Sequence, residues 1–183
     1  MLTDKNISNY ILREPGGTKV SERIRRILLD KNNIINKEEE TLLFLSSRAN
    51  LVNEIIIPKL KNKDVVLCDR YIDSTIAYQA FGRGMNLNLI NKMNEFATNK
   101  CIPILTIIFD IDPNIVQDRF TDKVLDRMEV AGIEFQKRVR EGYLEIATMD
   151  KRYSIIQCNN KKIEEIHIEV IDIVNLHIEG LKR

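Results

Sequence analysis

Two continuous apolar runs, Val65–Cys68 and Ile104–Phe109, constrain the fold of this chain most strongly. Neither run alternates with polar residues, which is the pattern of parallel strands that helices cover on both faces. Shorter runs at Tyr10–Leu12 and Tyr153–Gln157 predict two further strands. Helical patterns fill the intervals, from a Thr18 or Ser21 cap to Asp30 and over Lys37–Lys61, Ser74–Phe81, Leu87–Thr98, Asn114–Phe120, Ile133–Met149 and Ile163–Leu181. The alternation predicts an α/β fold, a doubly wound parallel sheet with helices on both faces, in a single domain over residues 1–183.

The balance of charge argues against a nucleic-acid partner. Lys and Arg number 28 and Asp and Glu number 27, so the chain lacks the cationic field that displaces counterions from a phosphate backbone. The three cysteines form no C-x-x-C pair, which indicates reduced thiols. The first residues have no apolar core of a signal peptide, and the longest apolar stretch is too short to cross a bilayer. We therefore expect a soluble, cytoplasmic protein that acts on a small molecule and does not contact a membrane.

An Asp-Arg pair stands where the apolar run Val65–Cys68 ends. The carboxyl ends of parallel strands are where open α/β sheets bind ligands. The carboxylate of Asp69 suits a metal ion or its water, and the fork-shaped guanidinium of Arg70 suits a phosphate. The alternative for Arg70 is an ordinary ion pair with Asp69 or Asp73. We favour the phosphate contact because the pair ends a buried strand.

Several separated motifs stand in one order along the chain. They are R-E-P-G-G-T at Arg13–Thr18, L-L-F-L-S-S-R-A at Leu42–Ala49, D-R-Y-I-D-S-T-I-A-Y-Q at Asp69–Gln79, F-D-I-D-P at Phe109–Pro113 and L-D-R-M-E at 125–129, with R-V-R-E-G-Y-L-E-I-A behind it. The ordered set resembles bacterial thymidylate kinase from about Tyr10 to the carboxyl terminus. The resemblance implies a P-loop nucleoside monophosphate kinase fold and transfer of the ATP γ-phosphoryl group to dTMP with Mg²⁺. It also implies a homodimer.

The resemblance assigns a base-binding role to one helix face. Phe44 and Arg48 are four residues apart and therefore share a face. The family stacks such a ring on thymine, while the guanidinium donates to a base carbonyl. The alternative is that Phe44 is simply a core residue. A buried guanidinium needs a partner, so Arg48 discriminates between the two interpretations.

Three further residues on the next motif are implied to contact the nucleoside. Thr75 and Gln79 stand where the family places hydrogen-bonding groups against the base and sugar. Tyr78 stands where a ring forms a wall beside C2′ and disfavours a ribonucleotide. The alternative for Tyr78 is a half-buried helix aromatic.

The remaining implied contacts lie near the phosphates. Glu14 precedes a proline that the family keeps in the cis form, and Arg25 matches a phosphate-side arginine, with a solvated surface arginine as its alternative. A charged, weakly apolar segment at about 119–131 is interpreted as a lid. From the resemblance, Arg127 of L-D-R is a catalytic and ATP-contacting residue, and Arg119 and Lys123 are further ATP contacts. Arg138, Arg140 and Tyr143 continue the family pattern, either as ligand contacts or as the polar face of their helix.

One motif of such kinases does not occur in the sequence. The chain contains no G-x-x-x-x-G-K-[ST], the loop whose backbone N–H groups cradle ATP phosphates. We expect that the first strand and this P-loop are missing, that kinase activity is impaired and that sheet edges are exposed. A truncated form of an active dTMP kinase is the first interpretation. A non-catalytic dTMP-binding or interaction protein and a kinase of another monophosphate, such as dUMP, are the alternatives.

Overall fold

The computed structural model describes residue 2, residues 6–118 and residues 126–181 of the chain. Its strands are β1 (Asn9–Arg13), β2 (Val65–Asp69), β3 (Thr106–Asp110) and β4 (Tyr153–Gln157). Its helices are α1 (Lys19–Leu29), α2 (Lys37–Leu51), α3 (Ile57–Lys61), α4 (Ile72–Thr75), α5 (Leu87–Thr98), α6 (Pro113–Asp118), α7 (Ile133–Ala147) and α8 (Ile163–Leu181). A 3-10 turn covers Glu129–Ala131, and π-helical turns cover Val52–Ile56 and Ile76–Gly82.

The strands are parallel, as the apolar runs predict. In β1 and β2, Asn9 lies opposite Val65, and in β3 and β4, Thr106 lies opposite Tyr153. The α/β class is therefore confirmed. Hydrogen bonding nevertheless divides the four strands into two pairs, since no ladder joins β2 to β3 within the described residues. One apolar side chain of β3, Phe109, is 54% exposed.

The long predicted helix over Lys37–Lys61 is present as α2, a π turn and α3 in succession. It begins with a capping box, in which the backbone N–H of Glu39 donates to Asn36 Oδ1 at 2.8 Å and the backbone N–H of Asn36 donates to Glu39 Oε2 at 3.0 Å. The wide turn Val52–Ile56 ends two residues before Pro58, which has no N–H to donate. The helix therefore continues through the proline, as expected, and carries the cavity-facing side chains on its earlier turns.

Two apolar clusters hold these elements together. The larger joins the π turn after α4 to α7 and includes Ile76, Ala77, Phe135 and Val139, and the smaller joins β1 to α2 and its π turn. At the larger contact, a Cβ added to Gly142 of α7 would lie 2.7 Å from Phe81. The absence of a side chain there lets the two helical segments approach closely. None of the helices in the described residues has the length and apolar character of a bilayer span.

Candidate functional site

A cavity of about 610 Å³ lies where residues at the carboxyl ends of β1, β2 and β3 face α2 and α7. It brings together all the residues predicted for substrate binding, which are Glu14, Arg25, Phe44, Arg48, Arg70, Thr75, Tyr78 and Gln79. These side chains come from five separate segments of the chain. The topology of the parallel strands therefore assembles the site, because their carboxyl ends open toward the same space.

Arg70 follows β2 directly and has a left-handed backbone conformation with φ of 65°. Such a conformation costs a non-glycine residue about 1–3 kcal/mol and persists where the surroundings impose it. Its guanidinium carbon lies 5.0 Å from the centroid of the Tyr78 ring. Within the described part of the chain, neither Asp69 nor Asp73 lies within ion-pair distance of Arg70, and Asp73 Oδ1 instead pairs with Arg152 Nη2 at 2.6 Å. Arg70 thus presents a cation to the cavity.

Arg48 is buried, with 2% of its side chain exposed, and its partners are all within the protein. Its Nε donates to Glu14 Oε2 at 2.8 Å, and its Nη2 pairs with the same oxygen at 2.6 Å. Its Nη1 donates to Thr75 Oγ1 and Asn94 Oδ1, both at 2.7 Å, and Nη2 also donates to the Tyr71 carbonyl at 3.0 Å. A guanidinium has five N–H donors, so this network occupies all of them. Arg48 fixes the floor of the cavity.

The turn after β1 places the buried carboxylate of Glu14 beside Arg48 at the bottom of the cavity. Glu14 is 5% exposed, and its Oε1 is buried without a hydrogen-bond partner in the described structure. Burial raises the pKa of Glu14, and the charge of Arg48 offsets only part of that effect. The Glu14–Pro15 peptide is cis, as the resemblance implies. Arg25 reaches this turn from α1 and donates from Nη1 to the Pro15 carbonyl at 2.8 Å.

Aromatic side chains form one wall of the cavity. Phe44 is half-buried, packs against the larger apolar cluster and lines the cavity, so both interpretations of its role describe part of its environment. The Tyr78 ring makes edge contacts with Phe135 and Tyr143, at centroid distances of 5.9 and 6.4 Å. The Tyr143 hydroxyl lies 2.6 Å from Ser74 Oγ. These contacts fix the Tyr78 ring beside Arg70.

A second buried carboxylate lies beside the cavity, in the first turn of α2. Glu40 Oε2 pairs with Arg83 Nη2 at 2.9 Å and with Arg127 Nη1 at 2.7 Å, and Glu40 Oε1 accepts from Gln79 Nε2 at 2.9 Å. Arg127 also donates from Nε to the Leu28 carbonyl at 2.7 Å. The Arg127 guanidinium is therefore directed at Glu40 and α1, and Arg127 is not among the residues that line the cavity.

Two of the predicted ATP contacts, Arg119 and Lys123, lie outside the described residues, as does the part of the predicted lid over 119–125. Asp69 ends β2 with an exposed side chain and is not among the residues that line the cavity. Among the residues placed by the structure, no group of three or more His, Cys, Asp or Glu side chains could hold a metal ion.

Sequence reasoning missed the two carboxylates that organise the far side of the site. Asp110 ends β3 and is 3% exposed, and Arg140 of α7 donates to both of its oxygens at 2.5 and 2.9 Å. Hydrogen bonds from Arg140 lower the pKa of Asp110. The motif F-D-I-D-P contained the signal for Asp110, since it places an acid at a strand end. Glu40 gave no such signal, because it looked like one more acid at a helix start.

The sequence is similar to that of known thymidylate kinases over most of its length. The thymidylate kinase family profile matches residues 1–170. The thymidylate kinase of Kosmotoga olearia is 40% identical over 170 residues, which cover 92% of this chain and 82% of the relative. The thymidylate kinase of Carboxydothermus hydrogenoformans is 44% identical over 170 residues, with coverage of 92% and 83%.

A solved structure agrees with these matches. The crystal structure of thymidylate kinase from Ehrlichia chaffeensis superposes with a TM-score of 0.74 at 34% identity, over 92% of this chain and 81% of that chain. The matching profile, the identities and the shared architecture agree with the motifs noted in the sequence, and they show that this chain belongs to the thymidylate kinase family.

Proposed function

We propose that this protein acts as a dTMP kinase, which binds dTMP in the cavity and transfers the γ-phosphoryl group of ATP to it, forming dTDP. The observation that carries the proposal is the convergence of Phe44, Arg48 and Arg70 on one cavity of about 610 Å³. Small-molecule sites commonly have volumes of about 300–1,000 Å³. Membership of the thymidylate kinase family supports the same reaction.

The base is proposed to lie against the Phe44 ring, with its polar edge toward Thr75 and Gln79. The Thr75 hydroxyl oxygen accepts a hydrogen bond from Arg48, which leaves the hydroxyl hydrogen available for a base oxygen. Direct donation from Arg48 to a base carbonyl requires one of its internal hydrogen bonds to be shared. Tyr78 forms the wall beside the sugar and disfavours a 2′-hydroxyl by its bulk.

The acceptor phosphate is proposed to bind Arg70, with Arg25 as a second cation on the same cavity. An oxygen of the dTMP phosphate attacks the γ-phosphorus of ATP, the bond from that phosphorus to the β–γ bridging oxygen breaks, and ADP leaves. Both reactants are anions, so the forked contact from Arg70 offsets their repulsion and orients the attacking oxygen.

The donor side of the reaction rests on ATP and Mg²⁺. Magnesium sites in kinases use one or two carboxylates together with phosphate oxygens, and the single carboxylate of Asp69 suits such a site. The ion, when bound, neutralises charge on the β- and γ-phosphates. We propose Asp69 for the metal or its water, and Arg127, Arg119 and Lys123 for the ATP phosphates. Arg127 would first have to leave Glu40.

The sequence contains no phosphate-cradling G-x-x-x-x-G-K-[ST] loop. We therefore propose that this chain by itself, one domain over residues 1–183, binds dTMP but transfers phosphate slowly. A non-catalytic dTMP-binding protein is the second candidate function, and the missing motif is what favours it. A homodimer in the cytoplasm with no nucleic-acid partner is proposed on membership of the thymidylate kinase family and on the near balance of 28 Lys and Arg with 27 Asp and Glu residues.

Calorimetric titration with dTMP and with thymidine tests the site, because the two ligands differ only in the phosphate. In Arg70→Ala, we expect the affinity for dTMP to fall about tenfold or more, while the affinity for thymidine stays unchanged. In Phe44→Ala, both affinities should fall together. Arg26→Ala is the matched control, since Arg26 is exposed on α1.

Unchanged dTMP affinity in both cavity variants would reject the proposed site. Competition between dTMP and dUMP then distinguishes a thymidylate site from a uridylate site. Release of ADP that depends on dTMP, at the rates of about 1–100 s⁻¹ usual for kinases, would refute slow transfer by the chain as printed.

A further inference from the structure

Gln79 lines the cavity, and its amide is held from behind by Glu40. Glu40 is 1% exposed, and its two oxygens receive donors from Gln79, Arg83 and Arg127. Two guanidinium groups therefore neutralise one carboxylate. Burial alone would raise the pKa of Glu40, but the hydrogen bonds from Arg83, Gln79 and Arg127, together with the charge of Arg83, outweigh burial and lower it. Glu40 is an ionised carboxylate at neutral pH.

An ionised carboxylate accepts hydrogen bonds and has none to donate. Gln79 can therefore meet Glu40 only with its NH₂ group, and the observed contact has this polarity, from Nε2 to Oε1 at 2.9 Å. The oxygen of the same amide accepts no hydrogen bond from the described residues. The charge of Glu40 thus fixes the orientation of the Gln79 amide, with Nε2 toward Glu40. The amide oxygen of Gln79 remains available to accept a hydrogen bond on the cavity side.

The hydrogen-bonding edge of a pyrimidine base determines whether it can pair with an acceptor at this position. Thymine has a donor, N3–H, next to the acceptor O4, whereas 5-methylcytosine has an acceptor at N3 next to the donor N4–H₂. The two bases have almost the same shape and carry the same methyl group. An acceptor fixed on Gln79 complements N3–H, but it faces a lone pair on N3 of the cytosine base, and both groups are then desolvated without a partner.

We propose that Glu40 is a positioning residue that selects thymine over cytosine by holding the amide of Gln79 in one orientation. This inference rests on the proposed dTMP site. Glu40 itself does not touch the ligand in this arrangement. Arg83 and, in the absence of ATP, Arg127 keep Glu40 charged, and Arg83 and Gln79 remain its donors when Arg127 turns to the ATP phosphates. The selectivity of the cavity therefore depends on side chains that do not line it.

The test measures the ratio of affinities for dTMP and 5-methyl-dCMP by calorimetric titration. The intact chain should prefer dTMP. In Glu40→Gln, the new amide can donate as well as accept, so Gln79 is free to turn over, and the preference should fall about tenfold. The ratio is independent of the folded fraction, because both ligands report on the same folded molecules. Glu38→Gln is the control, as Glu38 lies in the same helical turn with 61% of its side chain exposed, and it should leave the ratio unchanged.

The outcomes separate the inference from the proposed function. If the intact chain binds neither nucleotide, the dTMP site and the inference both fail. If it prefers dTMP and Glu40→Gln keeps that preference in full, the role of Glu40 is refuted while the dTMP site stands. Should Glu40→Gln not fold, the double variant Glu40→Gln/Arg83→Gln removes one cation together with the anion, and the same fall in the ratio is expected.

Discussion

The two buried carboxylates beside the cavity, Glu14 and Glu40, contrast in how they are neutralised. Among the residues that the structure describes, Glu14 has one cationic partner, Arg48, and its Oε1 has no hydrogen-bond partner. Glu40 has two cationic partners and the Gln79 amide, which engage both of its oxygens. The pKa of Glu14 is accordingly raised by burial, while the pKa of Glu40 is lowered despite burial. Burial raises the pKa of a carboxyl group, and the number of donors decides how far that rise is offset.

The largest effect that the contrast predicts is in Arg48→Ala. The substitution leaves Glu14 without its cation. It also removes the hydrogen bonds that Arg48 donates to Thr75 Oγ1, Asn94 Oδ1 and the Tyr71 carbonyl. We expect the free energy of unfolding to fall by about 3–5 kcal/mol. Urea denaturation followed by circular dichroism measures it, with Arg26→Ala as the control. A loss under about 1 kcal/mol would mean that the Glu14 site is hydrated or already neutral.

Arg83→Leu should have a smaller effect. Glu40 keeps Arg127 and Gln79 when Arg83 is removed, so its charge remains compensated. We expect a loss of about 1–3 kcal/mol in the free energy of unfolding, by the same denaturation measurement. A loss as large as that of Arg48→Ala would show that the partners of Glu40 do not substitute for one another.

The two carboxylates should also differ in the sign of their pH dependence. The folded-state pKa of Glu40 is lowered from the usual 4.5, so its contribution to stability is present above pH 4.5 and is lost as the pH falls through the folded-state pKa. The folded-state pKa of Glu14 is raised from 4.5, so stability declines as the pH rises from 4.5 through that pKa. Urea denaturation over a pH series measures both slopes.

Single variants separate the two slopes. Glu40→Gln should flatten the loss of stability below pH 4.5, whereas Glu14→Gln should remove the decline above it. If both variants change the same limb of the profile, the two carboxylates do not differ as the contrast requires.

The smallest effect is expected at an exposed pair, which sets the baseline. Arg13 Nη2 and Glu22 Oε1 are 3.2 Å apart, and their side chains are 53% and 37% exposed. Arg13→Ala should change the free energy of unfolding by less than about 1 kcal/mol, because water and salt screen the pair. A larger change in the same denaturation assay would show that exposure is a poor guide to these energies.

Much of the site could be predicted from the sequence because local rules place its residues. The spacing of Phe44 and Arg48 puts them on one helix face, and the end of β2 puts Arg70 at the ligand edge of the strands. The strand predicted at Val65–Cys68 is observed at Val65–Asp69. These assignments need only helix and strand periodicity and the polarity of parallel strands.

The partners of Glu40 could not be predicted in this way. Glu38, Glu39 and Glu40 look alike in the sequence, and only the last is turned inward. Its partner Arg83 is 43 residues away, so the contact depends on tertiary packing that no local pattern encodes. The division of the strands into two pairs could not be predicted for the same reason. An apolar run predicts a strand, but it does not indicate which other strand will share hydrogen bonds with it.

The close contact between Gly142 and Phe81 links two positions that lie far apart in the sequence. Helix α7 carries Arg140 and Tyr143 into the cavity, so any displacement of this helix moves both of them. A methyl group at 142 would have to displace either the helix or the Phe81 ring. Substitutions at these two positions should therefore be tolerated in pairs, with a larger residue at 142 requiring a smaller one at 81. Such paired changes would keep α7 in place and so preserve the width of the cavity.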